Sequence, residues 1–457
     1  MATDPVPTSS AIQERVFGFA DTERTATENA MAQRAENIIP GGCHTSAKGR
    51  DQYPQRSPAF IERGLGSRVW DSEGREYTDL LSGIAVCSLG HANEAVAEAI
   101  SDQARRLVHT SNLYHIAEQE TLGTALCRIA GMDKAFFCNS GAEANEACIK
   151  IARLHGHAKG IATPTIVVMN TAFHGRTLAT IAATGNEKIR HGFGPVTPGF
   201  VHVPFDDAEA VAAMGDSRED IVAVMVEPVQ GEGGVRVPSP GYLARLRDIC
   251  DARGWLLICD EIQSGMGRTG RWFAYQHDAA RPDVVSVAKA LGNGMPIGAC
   301  LARGDAAALI QPGSHGTTFG GNPLACTVGL TVVGEIERRE LVERADVLGE
   351  RLMDGFRAAL HNRPGVVDIR GKGLMVGIEL DKPCADLVAR ALEAGLLINV
   401  TAGNVVRLLP PYILSDAEAD EIVRRVSSLI GEFLDENADL PSTPTSHGER
   451  PASTASV

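Results

Sequence analysis

Asp283-Val284-Val285-Ser286-Val287-Ala288-Lys289-Ala290-Leu291-Gly292-Asn293-Gly294 is a short β-branched apolar run that ends in one lysine and a turn. Apolar runs of this length, bounded by turn residues, read as buried strands. Lys289 is flanked by small or apolar residues, where an ammonium is costly to desolvate. Burial there favours the neutral, nucleophilic amine. A strand-capping surface lysine is the plainer alternative for such a motif taken alone.

A second apolar run, Trp255-Leu256-Leu257-Ile258-Cys259, ends in Asp260. One strand closing on a lysine and another on a carboxylate suits pyridoxal phosphate. That cofactor needs an amine for its aldehyde and an acid to keep its pyridine nitrogen protonated.

Working outward, Lys134–Cys138, Pro164–Met169 and Ile221–Val226 also read as strands. Strands and helices alternate from about residue 134 to about residue 300. This is the pattern of a largely parallel sheet that binds ligands at its strand carboxyl ends. Asn139-Ser140-Gly141-Ala142-Glu143-Ala144-Asn145-Glu146 follows the first strand and opens a helix, which presents free N–H groups to an anion such as phosphate. Phe173-His174-Gly175-Arg176-Thr177 follows the second, with an aromatic able to stack on a planar ring. Glu227-Pro228-Val229-Gln230-Gly231-Glu232-Gly233-Gly234 follows the third. Each motif stands at a strand end, which packing alone does not require.

The flanks are simpler. Thr25–Asn37 has helical character, Ala59–Arg63 and Ser67–Asp71 read as strands, and Asp71–Glu76 has hairpin-turn chemistry. Helical spacing runs over Ala95–Val108 and Glu118–Ile129. Ser314–Pro323 is a loop with Thr317 and Thr318 among glycines. From Leu324 the periodicity predicts one long helix, with Leu341, Ala345, Leu348, Leu352 and Phe356 on one face. Val366–Leu380 and Leu396–Leu409 supply short strands, and Ser415-Asp416-Ala417-Glu418 is a capping box opening a final helix. The Ser/Thr/Pro-rich tail after Asn437 has the composition of a disordered segment.

The 457 residues allow more than one domain, and a net charge of −14 argues against nucleic-acid binding. Ten cysteines without a C-x-x-C pair argue for reduced thiols, and no apolar run reaches membrane-spanning length. No metal site is expected. His155 and His157 have no carboxylate or cysteine pattern to complete one.

Read together, and in this order, these motifs resemble the class III (ω-amino acid) aminotransferases of the fold type I pyridoxal-phosphate enzymes. Further matching pieces are Gly83-Ile84-Ala85-Val86 with Leu89-Gly90-His91, His109-Thr110-Ser111-Asn112, and Asp260-Glu261-Ile262-Gln263-Ser264-Gly265-Met266-Gly267-Arg268-Thr269-Gly270. Ala288-Lys289-Ala290-Leu291-Gly292 and Thr317-Thr318-Phe319-Gly320-Gly321-Asn322-Pro323 complete the set, over about Pro58 to Phe433. Three features depart from the pattern, one being an N-terminal stretch of about 50 residues that is longer than usual. Asn93-Glu94 stands where members often have His-Pro, and Asn293 stands where they often have a third glycine.

The resemblance implies an α/β fold with a mostly parallel central sheet in a large domain (76–325) and a smaller α+β domain (326–436). An N-terminal segment (1–75) partly joins the smaller domain, and the tail is 437–457. It implies pyridoxal 5'-phosphate on Lys289 as a Schiff base, Asp260 on the pyridinium nitrogen and Gln263 near the ring hydroxyl. Ser140, Gly141 and Ala142 are then expected at the phosphate and Phe173 on the ring. Thr318 is expected to reach the phosphate of a neighbouring subunit, making a homodimer with shared sites. Arg176 would take the substrate α-carboxylate with Thr317 nearby, and Arg407 would be the second arginine, with Glu227 its switching partner. Tyr53 matches a substrate tyrosine with a one-residue offset.

The implied activity is ping-pong transfer of an ω-amino group to 2-oxoglutarate in the cytoplasm, within arginine biosynthesis. N2-acetylornithine is the first-ranked donor, ahead of succinylornithine, succinyldiaminopimelate, ornithine and 4-aminobutyrate. A non-transaminating pyridoxal-phosphate enzyme on the same fold is the alternative, and a silent binding protein a third reading. Arg176 with Arg407 favours a dicarboxylate half-reaction, and the presence of both Lys289 and Asp260 argues against silence.

Overall fold

Three antiparallel strands come first in the fold: β1 (Ile61–Leu65), β2 (Arg68–Asp71) and β3 (Glu76–Asp79). Asp71 builds the turn between β2 and β3. Its Oδ1 accepts the backbone N–H of Glu73 at 3.0 Å and of Arg75 at 2.8 Å, while Gly74 takes φ +81°. That left-handed conformation costs glycine little. The computed structural model describes residues 60–438 together with Ala35 and Asn37–Ile39. Tyr53, the tail beyond Ala438 and most of the helix expected at Thr25–Asn37 lie outside the described residues.

The central sheet holds seven strands. They are β4 (Lys134–Cys138), β5 (Thr165–Met169), β6 (Phe200–Val203), β7 (Ile221–Val226), β8 (Leu256–Asp260), β9 (Val284–Val287) and β10 (Gly298–Ala302). Their spatial order is β4-β10-β9-β8-β7-β5-β6. Neighbours from β9 across to β6 pair in parallel, whereas β10 runs antiparallel to both β4 and β9. The sheet is therefore mostly parallel, as expected. Every residue of β5, β7, β8, β9 and β10 is buried. Strands buried on both faces, whether parallel or, like β10, antiparallel, lose polar–apolar alternation for this reason. Each Val or Ile so buried contributes on the order of 1.5–3 kcal/mol.

Two strands carry weak sequence signals. Gly298-Ala299-Cys300-Leu301-Ala302 has no β-branched residue, and only pairing on both sides makes it β10. Phe200–Val203 is short and follows two prolines.

The long helix expected from Leu324 is two helices, Pro323–Arg338 and Leu341–Ala359. The break is at Glu340, which takes the left-handed conformation at φ +52°. Apolar spacing continues across it, so periodicity cannot reveal a change of direction held in one residue's backbone.

A third sheet, in the order β11-β12-β15-β14, contains β11 (Val366–Lys372), β12 (Met375–Leu380), β14 (Asn399–Thr401) and β15 (Val405–Leu408). Short β13 (Leu396–Leu397) instead pairs in parallel with β3, tying the N-terminal strands to the C-terminal part. The capping box forms as expected, with Ser415 and Glu418 opening the helix Asp416–Glu436.

Candidate active site

The carboxyl ends of β4, β5, β7, β8 and β9 converge on one cavity of about 390 Å³. Ser140, Gly141, Ala142, Phe173, Arg176, Glu227, Asp260, Gln263 and Lys289 all line it. Residues scattered over about 150 positions meet because parallel strands deliver their ends to the same edge of the sheet.

Lys289 follows β9 and takes φ +49°. A non-glycine residue in that region costs roughly 1–2 kcal/mol, a cost borne by the surrounding buried turn. Burial lowers the amine to about 8; the Glu232 carboxylate opposes this, and the Arg407 charge adds to it. Such a group exchanges protons near neutral pH.

Asp260 ends β8 and is buried. Its Oδ2 accepts from Asn145 Nδ2 and from His174 Nδ1, each at 2.8 Å. Its Oδ1 accepts from the backbone N–H of Ile262 at 3.1 Å and, weakly, from the Ser286 hydroxyl at 3.4 Å. Burial acts against a charged His174, but the bond to Asp260, with the charges of Asp260 and Glu227, outweighs it and raises that imidazole overall. The sequence reading assigns Asn145 and His174 no role, although both stand inside motifs it singles out.

Ser140 caps the helix Gly141–Ala158, accepting the Glu143 N–H at 3.2 Å. The cap leaves the neighbouring helix-start N–H groups facing the cavity. A Cβ on Gly141 would come within 2.8 Å of Ile262, so backbone alone fits there. These residues fit pyridoxal phosphate: an anion cradle at a helix start, a buried carboxylate, a cavity-facing amine of lowered basicity, and the Phe173 ring. The Arg176 guanidinium lies 5.6 Å from the centroid of that ring.

The structure assigns the carboxylate partner of Arg407 differently from the sequence reading. Arg407, on β15, is fully buried and donates Nη1–H to Glu232 Oε1 at 2.8 Å, with a longer contact to Gln263 Oε1 at 3.4 Å. Its Nε donates to Asn399 at 3.0 Å, and its buried Nη2 has no partner among the described residues. Glu227 instead accepts the backbone N–H of Phe173 at 3.0 Å and of Gly231 at 3.4 Å, and burial pushes its carboxyl up to about 7. The turn Pro228–Gly231 separates the two glutamates, holding the first under the Phe173 loop and sending the second to β15. Spacing along the sequence does not show which glutamate faces the arginine.

Thr317 and Thr318 do not line this cavity. Thr317 Oγ1 accepts the Gly320 N–H at 3.1 Å, and Thr318 is exposed.

A family model described as aminotransferase class-III matches residues 50–430. An acetylornithine aminotransferase of Nitrosomonas europaea is 51% identical over 380 residues, covering 83% of this chain and 97% of that relative. A second, from Methanothermobacter thermautotrophicus, is 45% identical over 379 residues, covering 83% and 95%. The crystal structure of an ornithine aminotransferase from Toxoplasma gondii superposes with a TM-score of 0.86 at 34% identity, covering 94% of this chain and 100% of that one. An acetylornithine aminotransferase from Elizabethkingia anophelis gives 0.79 at 34% identity, covering 90% and 100%.

Proposed function

The chain belongs to the class-III aminotransferases, which use pyridoxal phosphate, and on that premise we propose that it transfers the ω-amino group of N2-acetylornithine to 2-oxoglutarate. The observation that carries this reading is one cavity that joins Lys289 and Asp260, from adjacent parallel strands, with Arg176 at its wall and Arg407 reached through Gln263. When bound, pyridoxal phosphate supplies an aldehyde that takes up amines and a protonated ring that accepts the electron pair left by a departing carbon-bound proton.

The chain's residues divide the remaining work. Lys289 supplies the amine for the aldehyde, and its lowered basicity suits it to shuttle a proton. Asp260 supplies the anion that keeps the ring nitrogen protonated. Ser140, Gly141 and Ala142 would hold the cofactor's phosphate, Phe173 would lie against the ring and Gln263 would be near the ring hydroxyl. Arg176 receives one substrate carboxylate in either half-reaction. Glu232 neutralises Arg407 while the acylated donor is bound. When 2-oxoglutarate enters, Glu232 gives way and Arg407 takes the second carboxylate. The unpartnered Nη2 of Arg407 supports this role.

A second copy of the chain completes the assembly in this reading. Leu113, Tyr114 and Phe319 are exposed beside the Thr317–Thr318 loop, an apolar surface that supports pairing there. Thr318 then addresses the partner's phosphate rather than its own. Sedimentation at micromolar concentration should give a dimer, and a monomer would remove Thr318 from the site. The free cysteines of the described residues support a cytoplasmic setting. No described helix is long and apolar enough to cross a membrane.

The test is a half-reaction panel that follows the cofactor's visible absorbance as each amine is added. N2-acetylornithine and glutamate should react with the highest kcat/KM. Faster reaction with ornithine or 4-aminobutyrate would replace the donor assignment and leave the rest standing.

A further inference from the structure

His174 is anchored through its backbone and through one ring nitrogen. Its backbone N–H donates to Thr184 Oγ1 at 3.0 Å, and its carbonyl accepts from Asn145 Nδ2 at 2.7 Å. The same Asn145 nitrogen reaches Asp260 Oδ2, the oxygen that His174 Nδ1 also meets. The ring is fully enclosed, and its Nε2 has no partner among the described residues. The titratable groups whose charge acts on it are Asp260 at the end of β8, Glu227 beyond β7 and His202 on β6. His202 in turn feels Arg190.

An ionised carboxylate only accepts, so Nδ1 carries a hydrogen whether the imidazole is neutral or charged. With Nε2 unpartnered, donation at Nδ1 is the ring's one hydrogen bond in the structure. We propose that His174 is a positioning residue for the cofactor's ring nitrogen, acting by donating Nδ1–H to Asp260 and so, together with Asn145, holding that carboxylate toward the cavity. The inference rests on the pyridoxal-phosphate reading above. It separates Asp260, which meets the ring nitrogen, from the pair that aims it.

Three variants separate donation from shape. An asparagine amide nitrogen reaches about where Nδ1 stands, phenylalanine fills the volume without a donor, and alanine supplies neither. Each holoenzyme is prepared, and pyridoxal 5'-phosphate release is followed by loss of visible absorbance on dilution. His174→Phe and His174→Ala should weaken cofactor retention about tenfold to a hundredfold, as expected for loss of a buried hydrogen bond to a charged group. His174→Asn should stay within about threefold of the parent. An asparagine variant as weak as the phenylalanine one, or a phenylalanine variant as tight as the parent, overturns the proposal. Should the variants misfold, nitrogen-15 spectra of the parent decide it, since the proposal requires a hydrogen on His174 Nδ1 and fails without one. A parent protein that takes up no cofactor would instead sink the underlying reading.

Discussion

Asp260 lines the cavity and Arg407 stands behind it, reached through Gln263; both are buried charges, and their surroundings differ in a way that bears on their proposed uses. Two side chains and a backbone N–H hold Asp260, with a weaker contact from Ser286, and its partners come from the helix Gly141–Ala158, the loops after β5 and β8, and β9. Arg407 has one ion-pair partner, Glu232, whose side chain is 21% exposed, and one nitrogen without a partner among the described residues. Stripping a buried charge of its last partner costs several kcal/mol. Asp260 is therefore built to stay fixed. In the proposed reaction Arg407 would exchange one carboxylate for another, a substrate replacing Glu232 while water takes up the displaced, partly open side chain.

The largest effect should come from the group both regions serve. Lys289→Ala is expected to lower kcat by roughly a thousandfold or more. Unfolding of the apo protein, followed by circular dichroism, should show no loss of stability from that substitution, because it removes a cavity-facing amine that desolvation already penalises.

Asp260→Ala comes next, with kcat lower by about a hundredfold and weak cofactor retention, because it orphans the Asn145 and His174 donors. Should Asp260→Ala behave as mildly as a change at Glu232, the contrast between a fixed and an exchangeable charge would be mistaken.

Glu232→Gln should alter choice more than speed. The ratio of kcat/KM for glutamate over N2-acetylornithine is expected to rise about tenfold, roughly 1.4 kcal/mol. Glu227→Gln should leave that ratio where it is. The reverse result would restore Glu227 as the partner of Arg407.

The smallest expected effects are in pH. In the apo protein, labelling of Lys289 by an amine-directed reagent should rise with a midpoint near pH 8, and a midpoint near 10.5 would mean the amine is not desolvated. Outside the site, His91 bonds Asp79 at 2.7 Å, and that bond, then one to Cys87, raises its imidazole to about 10. A folded value above the unfolded one stabilises the protonated form. The contribution is full below about pH 6.5 and is lost as pH rises toward 10. Asp79→Asn should flatten this fall in urea midpoints, an effect on the order of 1–2 kcal/mol.

Much of this is legible in the chain because strand-end chemistry is local. Lys289, Asp260 and the Ser140–Ala142 turn each sit beside an apolar run that marks its own strand, so a reader of the chain can place them at the edge of a sheet. Glu232 is not legible as the partner of Arg407, since two glutamates share one turn and their side chains part only when it folds. His174 escapes notice because a histidine beside an aromatic reads equally well as core. Strand β10 escapes because its small residues carry little preference of their own.

Composition and order along the chain settled the class of fold, the parallel strands and the lysine–aspartate pair, because burial of β-branched runs is dictated by side chains acting one strand at a time. Tertiary structure alone decided which carboxylate faces Arg407, what aims Asp260, and where the helix after Pro323 breaks. Those outcomes depend on distances between residues far apart in sequence and on single backbone angles, and neither leaves a periodic trace.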